Sequence, residues 1–168
     1  MTTDSRSTWV FQYATVGRWA EAIPKGLETE DWLKRPPGTR NHPHWIYGHV
    51  AVSSDIVPGL VPVEPLISRE LRDLFDQGTS PDPEGKGYPA PEELSATIER
   101  TMARNLEIIQ NLDFKDLGEP PLITLDESIR GFLKTRERWL GFAPLHLSYH
   151  MGQIQLIQRA LHPGTEGL

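Results

Sequence analysis

The residues best suited to chemistry in this chain are its six histidines, and three of them fall among apolar residues at helical spacing. In the segment HLSYHMGQ, His146 and His150 stand one helical turn apart. Steps of three and four reach Trp139 and Phe142 (or Ala143) on one side and Ile154, Ile157 and Leu161 on the other. Both imidazoles therefore lie on the stripe a helix buries. His49 shares a face with Trp45, Val52 and Ile56 in the same way. His42 lies on that face too, but two turns from His49, roughly 10 Å along the axis. His44 points elsewhere, and His162 follows the last helix. A buried imidazole without a partner costs about 1–3 kcal/mol, a large share of a typical stability of about 5–15 kcal/mol. Two readings stay open on spacing alone. Either each ring is hydrogen-bonded in the core or at a wet end of the fold, or one divalent ion satisfies all three. A His-x-x-x-His step sets both rings over one spot, and a facing helix supplies the third ligand.

The chain has no cysteine, so a metal site must use His and carboxylates, and no protein thiol can be the nucleophile. The pair is not that of a zincin, because Leu147 stands where such a helix carries its general-base Glu. Ser53, one turn after His49, and Gln153, one turn after His150, are the inward polar neighbours. Neither is a good base, so both are candidates for supporting the ligands rather than for catalysis. Any reaction would rely on the metal to activate water or a thiol brought in by a substrate.

Four helical blocks must position these residues. The first, 7–23, has Ser7 as a cap and a stripe of Trp9, Tyr13, Val16, Ala20 and Ile23. The second starts at Asn41, a good N-cap, tolerates Pro43 in its first turn, and stops at Pro58-Gly59. Residues 68–76 suit a short helix, and the Gly- and Pro-dense run 77–91 suits one long loop. A third long helix runs from about Pro91 to Leu112 on Leu94, Ile98, Met102 (or Ala103), Leu106 and Ile109, with Glu92 and Glu93 favouring its N-terminus. LITL (122–125) is a briefly extended stretch. The last helix begins near Thr135 and ends by Leu161, with Pro144 expected to kink it or to mark a joined turn. With no strand pattern of useful length, the fold class is all-α, an antiparallel four-helix bundle with long Gly/Pro-rich connections. At 168 residues it is read as a single domain, 1–168.

A net charge of −6 and scattered Lys and Arg argue against nucleic acid as the main partner. IVPGLVPV (56–63) is short and twice broken by proline, and MTTDSRSTWV has no apolar h-region. The expectation is a soluble, cytoplasmic protein with no membrane partner.

Three segments in order, HWIYGHV (44–50), GYPAPEEL (87–94) and HLSYHMGQIQLIQRAL (146–161), resemble the DinB-like superfamily. The specific parts are His-x-x-x-His-x-Gly-Gln and the Gly48-His49 pair. The first helix matches only in character. The resemblance implies an up-down-down-up bundle holding one divalent ion on His49, His146 and His150, with solvent in the open positions. It also implies a homodimer. Relatives include thiol transferases that use bacillithiol or mycothiol, a mycothiol-dependent isomerase, and proteins described only as metal-dependent hydrolases. The sequence departs from the commoner pattern at Pro144, two residues before His146. Gly48 and Gly152, each beside a proposed ligand, would let facing helices come close, or are incidental. Three functions follow. The first is a metal-dependent transferase that binds a low-molecular-weight thiol at the open site, the small-molecule substrate this reading favours. The second is a hydrolase using metal-bound hydroxide. The third is a non-catalytic metal-binding or stress-response bundle, for which a fourth ligand such as Asp55 or a residue of 77–91 would speak. Zinc suits three imidazoles best, with Ni, Fe or Mn as alternatives.

Overall fold

The fold is taken from a computed structural model, which describes residues 5–164. Six α-helices and four short 3₁₀ turns make it up, with no strand among the described residues. The helices are α1 (Ser5–Ala22), α2 (Pro43–Ser53), α3 (Arg69–Phe75), α4 (Pro91–Asn111), α5 (Glu127–Arg130) and α6 (Arg136–Leu161). The chain is all-α. No helix among the described residues is long and apolar enough to cross a membrane.

The four longer helices close a ring of contacts: α1 packs on α4 and α6, and α2 packs on α4 and α6. Tyr13, Val16 and Ala20 from α1, Leu94, Ile98, Met102 and Ile109 from α4, and Leu140, Leu147, Ile154 and Ile157 from α6 fill the space between them. Of the expected stripes, Trp9 and Leu106 are only half-buried, while Ala103 is exposed, so Met102 is the inward member of that pair. Leu122 N–H donates to Gly59 O (3.0 Å), and LITL forms no strand. The short α5, capped by Asp126, lies in a stretch that the sequence pattern left irregular.

Two caps differ from expectation. Ser7 lies inside α1, which begins at Ser5. Helix α2 is capped by His42 and not by Asn41: His42 Nδ1 accepts from Trp45 N–H at 3.1 Å. Proline is the reason. Pro43 bars the residue before it from helical φ/ψ, so residue 42 (φ −90°, ψ 161°) is the last extended residue and takes the capping place. Helix α2 also stops at Ser53, short of Ile56. There Ser54 and Asp55 turn to α4 instead: Asn105 Nδ2 donates to Ser54 O (2.7 Å), and Asp55 pairs with Arg104.

Helix α6 runs without a break through Pro144. A proline there has no N–H for the carbonyl of Leu140 and crowds it. The Tyr13 hydroxyl, fully buried on α1, donates to that carbonyl at 2.8 Å. The missing helical bond is thus replaced by one between helices.

Candidate metal centre

His49 on α2 and His146 and His150 on α6 meet. One ring nitrogen from each lies within 4.8 Å of the other two, and no fourth His, Asp or Glu joins this group among the described residues. The three rings stand nearly perpendicular to one another: 81° for His49 and His146, 78° for His49 and His150, and 89° for His146 and His150. The Nε2 atoms of His146 and His150 are 3.0 Å apart. Two imidazole nitrogens on one zinc ion at about 2.0–2.1 Å stand at a comparable spacing.

Hydrogen bonds fix which nitrogen faces the centre. His49 Nδ1–H donates to the carbonyl of Phe75, at the end of α3, at 2.7 Å. His150 Nδ1–H donates to Gln153 Oε1 at 2.9 Å. In each case Nε2 keeps its lone pair for the interior, as a metal-binding histidine needs. Ser53 Oγ lies 3.4 Å from His49 Nε2. Burial lowers the pKa of all three rings. For His146 burial, reinforced by the positive charge that His150 or His49 would carry, brings it down to about 3. In His49 burial outweighs the Phe75 carbonyl and Asp76, and in His150 it outweighs the bond to Gln153. All three are neutral at pH 7, so a cation would not have to displace protons.

Aromatic rings back every member of the trio. Trp45 stacks on His49 (5.3 Å, 3°), Phe142 on His146 (5.5 Å, 24°), and Tyr149 meets His150 edge-on (5.2 Å, 74°). These residues also line a cleft of about 930 Å³ onto which the histidines open. Such a volume suits a small organic molecule. Three neutral imidazoles on the wall of a cleft, two of them with ordered outer nitrogens, fit a divalent ion.

The DinB superfamily model matches residues 12–154. The chain belongs to the DinB superfamily. A search of curated proteins finds no match. The family match covers all three histidines of this DinB chain and both glycines beside them.

Those glycines differ. A Cβ on Gly48 would run into the ring of Phe75, so the missing side chain seats α3 against α2. Phe75 is the residue whose carbonyl holds His49, so Gly48 positions His49 indirectly. Gly152 has nothing within 4 Å of such a Cβ, and its missing side chain brings nothing close. Asp55, considered as a fourth ligand, is spoken for: it pairs with Arg104 and accepts from the N–H groups of Leu66 (2.7 Å) and Ile67 (3.2 Å).

The other histidines have separate tasks. His42 Nε2–H donates to Asp82 O (2.9 Å), His44 Nε2–H donates to Pro89 O (2.8 Å), and His162 meets Asp31 (2.6 Å). His42 and His44 thus tie the 77–90 loop to α2. Sequence reasoning passed over Asp76 and two cations on the cleft wall, Arg40 and Arg72. The apolar stripes carry no signal for them: Arg40 lies in the connection before α2, and Arg72 and Asp76 belong to the short α3 and its cap.

Proposed function

We propose that this DinB-superfamily chain is a single-domain, up-down-down-up four-helix bundle. In this reading it holds one divalent ion on His49, His146 and His150 and activates a low-molecular-weight thiol for transfer to an electrophile. The observation that carries the proposal is the convergence of three neutral imidazoles on a cleft wall, with no fourth protein ligand among the described residues. Structural zinc sites usually close with four protein ligands, whereas catalytic ones keep a position open. Zinc is the first choice, before Ni, Fe or Mn. When bound, the ion would lower the pKa of a thiol or water reaching its open side.

The chain's own residues would do the rest. Phe75 O and Gln153 hold two rings in orientation, and Ser53 Oγ is placed to hydrogen-bond an atom arriving beside His49. Buried Trp45, stacked on His49, limits water on that side of the trio. Among the described residues no carboxylate is hydrogen-bonded to these histidines, which favours a thiol nucleophile, since it needs no base once deprotonated. A hydrolase is the second reading, and Asp76 favours it: its carboxylate lines the same cleft and interacts electrostatically with His49. There it could handle the proton of a water nucleophile.

The first experiment is elemental analysis of protein purified without a nickel column, wild type beside His150→Ala. About one equivalent of a transition metal, lost in the variant, supports the site. A folded wild type that cannot be loaded with any divalent ion refutes it. Thiol perturbation of the cobalt protein's spectrum then separates the transferase from the hydrolase, which should instead turn over an ester, amide or phosphoester in a metal-dependent way.

We also propose a homodimer paired along α6. Leu145, Tyr149 and Leu156 are 67%, 64% and 66% exposed, and with Gly152 they form one outward stripe. Sedimentation of Leu156→Glu beside wild type tests this, with a shift to monomer expected.

A further inference from the structure

The cleft changes character along its length, with the three histidines at the middle. Near the start of α2 its wall is Arg40, Asn41, Gln77 and Thr79, and Arg72 and Asp76 follow beside His49, where Phe75 O is bonded. This end is held together by Trp45 Nε1–H donating to Thr79 Oγ1 (3.2 Å) and by the bond from His42 to Asp82 O. Beyond the end of α2 the wall is Ile56, Pro58, Ile123, Ile129, Trp139 and Phe142. Here Trp139 Nε1–H donates to Ile56 O (2.9 Å), which joins the start of α6 to this end. His49 stands one turn after Trp45 and one turn before Ser53, a span of about 12 Å along the helix. One end of the cleft is therefore polar and the other apolar.

The charges at the polar end do not cancel. Asp55, which lines the other end beside Ile56, adds no net charge there, because it is neutralised by Arg104 and bonded to two backbone N–H groups. Asp76 is shared with Arg72 at 3.9 Å and accepts from Gln77 N–H. Arg40 takes part in none of the ion pairs among the described residues. Two guanidinium groups thus face one carboxylate, an excess that a ligand anion would balance.

We propose that the organic ligand of this cleft is an amphipathic carboxylate. Its carboxylate sits against Arg40 and Arg72, its apolar body against Ile123, Ile129, Trp139 and Phe142, and its metal-binding atom lies between them. The middle of this assignment rests on the metal reading above, and the two ends rest on the cleft walls.

N-benzoylcysteine has this layout, with a thiol between a carboxylate and an aromatic group, and its methyl ester removes only the charge. Titrated into the cobalt-loaded protein and followed by cobalt absorbance, the acid should bind about tenfold or more tighter than the ester. In the double variant Arg40→Gln/Arg72→Gln, with cobalt uptake and circular dichroism unchanged, that preference should vanish while ester affinity holds. N-acetylcysteine, which lacks the ring, should bind more weakly than the benzoyl compound. Equal binding of acid and ester by wild type, or a preference that survives in the double variant, overturns the anionic end. Equal binding of the acetyl and benzoyl acids overturns the apolar end. If no thiol perturbs cobalt, the transferase reading falls and the same comparison is made with the side-chain hydroxamate of N-benzoylaspartate and its α-methyl ester, judged by the same outcomes. A wild type that takes up no cobalt overturns both readings.

Discussion

The hydrogen bond between Tyr13 and Leu140 makes a prediction that can be worked through. Pro144 removes the N–H that would bond Leu140 O inside α6, and the fully buried Tyr13 supplies a donor from α1 at 2.8 Å. Tyr13→Phe keeps the ring and deletes the donor, leaving a carbonyl in a buried stretch of α6 with no partner. The expected cost is about 1–3 kcal/mol. For a chain of this length that is a fall in Tm of roughly 2–12 °C, at about 2–4 °C per kcal/mol. Proline is the condition for this cost. Pro144→Ala restores the helical N–H, so in that background Tyr13→Phe should cost less by about 1 kcal/mol or more. Urea denaturation of the four proteins in the cycle measures the coupling directly. Equal costs of Tyr13→Phe in both backgrounds would refute the reasoning, because the bond would then owe nothing to the proline.

Further outcomes follow from the site's supports, from the two glycines and from one buried carboxylate elsewhere. Gln153→Leu removes the acceptor on His150 Nδ1 and should weaken metal binding by about 10–100-fold, measured by competition against a chromophoric chelator. Gly48→Ala forces a Cβ into the Phe75 ring and should cost about 1–3 kcal/mol with a loss of metal affinity through His49. Gly152→Ala meets nothing and should stabilise α6 by about 0.5–1 kcal/mol, so opposite shifts in urea midpoint are expected. Acid stability should depend on Asp31, whose pKa is lowered: burial raises it, but bonds from His162, Lys34 and the Glu28 N–H together outweigh burial. A carboxylate with a depressed folded pKa stabilises the fold above its unfolded pKa and loses that contribution as pH falls through the folded value. Asp31→Asn should therefore be less stable than wild type at pH 7, with the gap closing in acid denaturation below about pH 4. A gap unchanged by pH would contradict this.

Periodicity was enough to find the four long helices and to turn His49, His146 and His150 inward, because each sits on an apolar stripe that has only one way to be buried. The same stripes could not show what holds the rings. His150 finds its acceptor three residues along its own helix, a spacing the sequence displays. His49 finds its acceptor at Phe75, 26 positions away, and that pairing exists only because α3 docks on Gly48. The caps failed for a local reason: a capping preference for Asn gives way to the backbone restriction that Pro43 imposes on residue 42.

The six histidines show most clearly where pattern reading stops. His42 lies on the same face of α2 as His49 and is just as buried, yet its two nitrogens are used by Trp45 N–H and Asp82 O. What separates the two residues is the supply of partners from the connections. A ring with both nitrogens bonded to backbone is complete, and it can only tie one segment to another. His49 has one nitrogen bonded to backbone, and the other, with only the Ser53 hydroxyl at 3.4 Å, is turned toward two more imidazoles whose pKa values are likewise lowered. That incompleteness, and not burial, is the feature that argues for an ion. The polar cleft end follows the same logic, since among the described residues the guanidinium of Arg40 has no carboxylate in an ion pair and the trio has no fourth ligand.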